Sequence, residues 1–444
     1  MSTTLAAGAE LDFSLAQQLT VIALCALTAF IAHMALAVFN DGVRPFLLDF
    51  IQGRTTRSAT TAVSFGLSAG FIFGLGAPMA LSTGVLNPWL LFLPTDILGM
   101  LSPKKWLAPI LGGAWGAVVV FGLNGANNIA HDLPVDFLTA MQQMSTPILF
   151  LFTLFPVLAI TKQFGRKWGG IAGFLELALV VMTMKLWPNM FAGALAMAVG
   201  VLMLIGLAVS KDVRQRRADR AAGVVEEVGE DDPMASLFSA SATRLRKYLP
   251  LFMLLGAGVC VLAQMHVFGG GEATSFLIAK GQYAEAAQVD FYRVFGFIPL
   301  IATTALASGA YGIAGFTLVY PIGYLMPNPF LAAVVGALVF AVEVLALSWI
   351  GKVLGKLPSV RDSSEHLRSA IGDTLQLAIL FGSLMAANAM GGGLGILVVG
   401  GLYLLNESMG RPVVRMAAAP AAVIVGGIVL NILYWLDLFT PIKG

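Results

Sequence analysis

The sequence predicts an all-α polytopic integral membrane protein, with about 12 to 14 transmembrane or re-entrant helices that could form two inverted halves. Three observations predict it. Hydrophobic residues make up 58% of the 444-residue chain and charged residues 11%, with a mean hydropathy of +0.85, against roughly 45–50% and about 25% in soluble domains. Apolar runs near the ~20 residues that cross a hydrocarbon core recur along the whole length. Lys and Arg gather in alternate gaps between those runs, as the positive-inside rule requires.

The runs are, in order, 20–39, 59–82, 85–101, 107–123, 147–161, 169–187, 190–210, 249–268, 291–309, 311–326, 329–350, 370–387, 392–405 and 416–436. Four of them, 85–101, 291–309, 311–326 and 392–405, are short or interrupted. The gap 211–248 carries Lys211, Arg214, Arg216, Arg217, Arg220, Arg244, Arg246 and Lys247, which places it on the cytoplasmic side. Counting back, Lys162 with Arg166, Lys104 with Lys105, and Arg44 with Arg54 also fall inside; counting forward, Lys352, Arg361 and Arg411 do. The stretch 124–146 has no Lys or Arg and falls outside, as do both termini. The expected organisation is an N-terminal membrane half (1–210), a cytoplasmic linker (211–248) and a C-terminal membrane half (249–444). The linker has too few apolar residues for a core and reads as a solvated tether. The first eighteen residues hold Glu10 and Asp12 but no Lys or Arg, so no signal peptide is expected.

Seven segments per half would give the halves opposite orientation, as in many secondary transporters. An apparent echo of Gly74 and Asn87-Pro88-Trp89 in Gly315 and Asn328-Pro329-Phe330 puts both Asn-Pro turns outside, so it reads as coincidence.

An ionisable side chain in hydrocarbon costs about 2.5–3.5 kcal/mol at a helix centre and needs a partner, a water cavity or a function. Asp96 follows Pro94 and Thr95 in LLFLPTDILGM, where a proline-broken helix would set carbonyls beside a carboxylate; the competing reading is a cap near an interface. Glu343 sits near the middle of a full-length run. Glu176 resembles it but has Lys185 two to three turns away. In GFIPLIATTALASGAYG, Pro299 is expected to break the helix while Thr303, Thr304 and Ser308 supply hydroxyls, although membrane threonines commonly bond their own helix. Gly66, Gly70 and Gly74 form a small-residue packing stripe.

FNDGVRP (39–45) and NESMGRP (406–412) pair acids with arginines at membrane interfaces. Asp41, Arg44, Asn406, Glu407 and Arg411 are therefore expected to act as gates or as anchors of helix ends. His33, His131, His266 and His366 show no metal spacing. Cys25 and Cys260 lie in apolar runs, without disulfide or zinc spacing. No nucleophile elbow, HExxH, P-loop or ATPase segment is present, so no catalytic residue and no enzymatic role is expected. With 26 Lys and Arg against 24 Asp and Glu, no nucleic-acid partner is expected.

The strings FNDGVRP, LLFLPTDILG, GFIPLIATTALASG with GYLMPNP, and NESMGRP, in that order, resemble the YhfT family of bacterial inner-membrane proteins nearly end to end. Members are regarded as transporters without a settled substrate, often encoded beside pyridoxal-phosphate-type enzymes. His33, Asp41, Arg44, Asp96, Thr303, Thr304, Glu343, Asn406, Glu407 and Arg411 fall on matching positions, whereas Glu176 and His131 do not, and Asn40 and Pro88 depart from the pattern. The resemblance implies a multi-pass inner-membrane protein.

The function expected is secondary transport of a small polar organic solute, driven by a proton or sodium gradient. The alternatives are a membrane scaffold or subunit for neighbouring enzymes, or a channel. Asp96, Thr95, Glu343, Thr303 and Thr304 are the expected binding or coupling residues. Solute and membrane lipid are the expected partners, a homo-oligomer is left open, and no cofactor is expected beyond the coupling ion.

Overall fold

The computed structural model describes residues 11–40, 43, 50, 53–131, 133–137, 140, 143–188, 192–222, 233–355, 357–413 and 415–441. Helix α1 (Leu15–His33) is capped by Ser14 and leads to strand β1 (Ala37–Val38). Helix α2 (Arg57–Phe71), a π turn (Ile72–Gly76) and α3 (Ala77–Thr83) form one crossing, followed by α4 (Pro88–Leu101) and α5 (Leu107–His131). Helices α6 (Ser145–Phe152), α7 (Phe155–Phe164), α8 (Arg166–Leu186) and α9 (Ala192–Ala221) complete the first half. Helix α10 (Pro233–Lys247) precedes α11 (Leu249–Gln264), α12 (Glu272–Ala279) and α13 (Tyr283–Ser308). Then come β2 (Tyr311–Gly312), a 3-10 segment (Ile313–Leu318), α14 (Val319–Leu325), α15 (Pro329–Gly355), α16 (Pro358–Ser408) and α17 (Arg415–Trp435).

Helical elements lie at each expected run, so the chain is an all-α polytopic membrane protein. Seven helices among the described residues are long and apolar enough to cross a bilayer alone, or eight if the bent pair α10–α11 counts as one span. Shorter apolar helical stretches among the described residues include Pro88–Leu101, Phe150–Phe164 and Gly315–Leu325. Helix α16 covers two expected runs, and its backbone leaves helical geometry between them at Gly391 and Gly392, so it consists of two helices joined at a kink.

The two halves repeat one packing scheme. Helix α1 crosses α5 where Gly112 abuts the Cys25 carbonyl and the Ala29 side chain; α11 crosses α15 where Gly336 abuts the Gly256 carbonyl and the Cys260 side chain. Gly99 of α4 abuts Ala29, Ala32 and His33, and Gly323 of α14 abuts Cys260, Ala263 and Gln264, at the same intervals. The same register pairs Ala35 with His266, the left-handed residues that end α1 (φ 55) and α11 (φ 57). Their N–H groups bond Ala32 and Ala263, again equivalent positions. Further out, α9 packs on α13 as α17 packs on α2.

After these helix ends the chain is extended, and the halves join there. Strand β1 pairs in parallel with β2, Ala37 opposite Tyr311 and Val38 opposite Gly312. Leu86, just ahead of α4, bridges to Phe268, just after α11. Exchanging the halves turns one pairing into the other. Asn87 and Asn328, by contrast, start the non-equivalent helices α4 and α15. Both cap the N–H three residues on, from Leu90 and Leu331, and that shared Asn-Pro start signal explains their likeness.

Three expectations fail. Helix α4 continues through Pro94: the Leu90 carbonyl, which loses its helical donor to the proline, accepts from Trp115 Nε1 at 3.0 Å. Helix α13 likewise continues through position 299. The gap 211–248 is not simply a solvated tether, because α9 extends to Ala221 and α10 packs on α13 and α15 with Ser241, Ala242 and Leu245 buried.

Candidate functional site

The breaks after α1 and α11 sit where extended backbone is enclosed by protein, and their amide groups need partners. Asp96, fully buried on α4, accepts at Oδ2 from the N–H groups of Phe39 at 2.7 Å and Asn40 at 2.9 Å. The Asn40 side chain donates to Ser68 of α2 at 3.1 Å. This carboxylate therefore holds the end of β1 to the α4 helix by charge-assisted bonds.

The second half does the same work with different groups. Gly270, equivalent to Phe39, donates its N–H to the Tyr324 hydroxyl at 2.8 Å, and that hydroxyl donates to Asp290 Oδ2 at 2.8 Å. Asp290 is buried on α13. No side chain fits at Gly270, since a Cβ there would run into the Tyr320 ring and the Asp290 carboxylate. Between the two crossings lie the rings of Phe39, Phe92, Phe268 and Phe316, with centroids 5.4–5.7 Å apart where they meet. Phe92 and Phe316 are equivalent residues of the two halves.

Glu343, partly buried on α15, accepts at Oε2 from the Tyr311 hydroxyl of β2. Its Oε1 is buried without a hydrogen-bond partner among the described residues. Thr95 donates to the Phe92 carbonyl at 2.7 Å and so serves its own helix. Thr303 and Thr304 lie on α13, but their side chains are outside the described structure. Asp41 and Arg44 lie outside the described residues.

The NESMGRP residues are elsewhere, in the α16–α17 turn. Asn406 bonds both backbone groups of Val413, at 2.8 and 2.9 Å. Glu407 accepts from Arg411 at 2.8 Å and twice from Arg415 at 2.9 Å. Those bonds, from Arg415 first and Arg411 second, pull the Glu407 carboxyl down to about 2.

Among the described residues three buried acids lie outside the expected set, Asp290, Glu176 and Asp212, the last on α9 accepting from the Ser359 N–H at 3.1 Å. Asp290 sits one residue before run 291–309, and its side of the turn was readable only as a polar edge. Glu176, ranked below Glu343 from sequence, is the more buried: both its oxygens lack partners among the described residues, and Oε1 lies against Gly200 of α9. Among the described residues no three His, Cys, Asp or Glu side chains meet as metal ligands.

A mainly helical chain with broken crossings and buried carboxylates at the breaks defines a polytopic membrane protein with ionisable groups in its interior. The chain belongs to the YhfT family. That family's model, described as a protein of unknown function, matches residues 17–439. The chain is 41% identical over 437 residues to the uncharacterized protein YhfT of Escherichia coli (strain K12), covering 96% of this chain and 99% of that one. No solved structure matches.

Proposed function

We propose that this protein is a secondary transporter, moving a small polar organic solute across the bacterial inner membrane with a proton or sodium gradient. The observation that carries the reading is the repeated chain break, closed in one half by Asp96 and in the other by Tyr324 with Asp290. Alternation of seven crossings per half turns the second half over relative to the first, and inverted repeats with interrupted helices are the usual build of such transporters. Helix α4 supports this: its 14 residues reach only about 21 Å, short of a core about 30 Å thick.

With the cytoplasmic side set by the basic clusters, α1 runs inward and α11 outward. The Asp96 closure then faces the cytoplasm and the Tyr324–Asp290 closure faces outside. A cation or proton on the Asp96 carboxylate neutralises the charge that strengthens its bonds to Phe39 and Asn40. Ion binding thereby loosens one closure while the other stays shut, which is the requirement of alternating access. Glu343 offers a second protonatable group on the same cytoplasmic crossing, through Tyr311.

Purified protein in liposomes tests the reading, with solutes chosen by thermal shift because a specific binder stabilises the folded state. Uphill accumulation under an imposed proton or sodium gradient supports it. Equilibration without concentration identifies a channel, and binding partners without solute movement identify a scaffold.

A further inference from the structure

Helix α10 lies on the cytoplasmic side of the proposed topology and meets α11 at a bend of 69°. Its face bearing Ser241, Ala242 and Leu245 is buried, while Thr243 and Lys247 are exposed. The opposite face borders a concavity of about 660 Å³ lined by Ser239, Ala240, Thr243, Arg244, Lys247 and Tyr248. Among the described residues its lining holds two cations, three hydroxyls and no carboxylate.

Arg244 also reaches inward. Its guanidinium donates to the Met34 carbonyl at 3.1 Å and the Gly309 carbonyl at 3.4 Å. These are the C-caps of α1 and α13, one from each half, where helix dipoles favour a cation. Gly309 is left-handed (φ +63), and a Cβ there would lie 3.2 Å from Ser241 Oγ, so the α13 end sits close against α10. Two residues beyond, the Tyr311 N–H donates to the Leu36 carbonyl at 2.8 Å. Of five guanidinium N–H donors, two serve these carbonyls, and the residue also lines the concavity.

We infer that this concavity is a binding site for a phosphate-bearing anion, held by Arg244 and Lys247 with the neighbouring hydroxyls, and that occupancy tightens the β1–β2 crossing. A fork of N–H donors beside a point-charge ammonium suits a phosphate oxyanion. The anion neutralises Arg244 and fixes α10 against the two helix ends it caps. The shared chemistry has two sources, an anionic lipid headgroup of the inner leaflet or a soluble phosphate. The site is independent of whether the protein transports.

The test uses the full chain in neutral phosphatidylcholine nanodiscs. One arm adds inorganic phosphate; the other replaces part of the lipid with phosphatidylglycerol. Thermal stability and hydrogen exchange at 36–40 and 309–312 are read in both. The expected result is a raised Tm and slower exchange in at least one arm, with binding weakened about tenfold in Lys247→Glu, as loss of one charge-assisted contact implies. Arg244→Lys, which keeps the charge without the fork, should also weaken the response, whereas Lys280→Glu, exposed on another element, should not. A response to phosphate alone assigns a soluble ligand, and to lipid alone a headgroup. No response in either arm, or an equal response in Lys247→Glu, overturns the inference.

Discussion

The hydroxyl of Tyr324 donates to Asp290 at 2.8 Å while accepting the Gly270 N–H at 2.8 Å. In the other half the equivalent N–H, from Phe39, goes straight to the Asp96 carboxylate. The same structural need is met by an anion on one side and by a phenol backed by an anion on the other. The two breaks should therefore respond differently to loss of charge.

Asp96→Asn keeps an acceptor for Phe39 or Asn40 but removes the charge, so the protein should fold with a loss of about 1 kcal/mol and lose gradient-driven uptake. Asp96→Ala strands two buried N–H groups and should cost about 2 kcal/mol or more. Denaturation of both variants beside uptake checks this. Failure of the Asn variant to accumulate as folded protein would favour a purely structural role.

Tyr324→Phe removes the phenol and leaves both the Gly270 N–H and one Asp290 contact unmet, a cost of about 1–3 kcal/mol. Hydrogen exchange at 268–271 should accelerate while exchange at 36–40 stays unchanged. Equal acceleration at both crossings would argue against two separate closures.

Glu343→Gln keeps an acceptor for Tyr311 but cannot carry a proton. Solute counterflow should persist while accumulation against a gradient fails. If uphill transport remains intact, Glu343 is not the coupling residue.

Glu407 has a folded-state pKa near 2, below its ordinary 4.5, because Arg415 and Arg411 bond its ionised form. A depressed carboxyl contributes stability above its unfolded pKa and loses it as pH falls through the folded one. The α16–α17 turn should therefore loosen between about pH 4.5 and pH 2, with Glu407→Gln lacking that component. Exchange at 406–413 against pH measures it.

Cysteine labelling at Ser239 and at Asn127 should report opposite sides of the membrane. Labelling from one side at both positions would remove the orientation on which the inside and outside assignments of the closures rest.

The crossings were legible because hydrocarbon demands long apolar runs whatever the fold. The breaks were not. Pro94 and Pro299 pointed to helix interruptions, yet both helices continue, and Trp115 supplies the donor that Pro94 removes. The real breaks, near Ala35 and His266, fall in apolar sequence without proline, and only Gly269, Gly270 and Gly271 hinted at the second. Asp96 was found from its isolation in an apolar run. Asp290 was missed because α13 begins at Tyr283, eight residues before the apolar run that marked it. The repeat was hidden because identical pairs such as Gly112 with Gly336 are scattered among unlike ones such as Cys25 with Gly256 and Ala29 with Cys260, where only side-chain smallness is kept.

The glycine contacts have a mechanical consequence. Where Gly112 meets Cys25 and Gly336 meets Gly256, backbone lies on backbone with no long side chain between to change rotamer. Sliding of packed helices depends on such rotamer adjustment, so α1 with α5, and α11 with α15, behave as stiff girders. Any large displacement must then occur where bulkier residues form the joints, and the breaks at Ala35 and His266 are the ends about which each girder would turn.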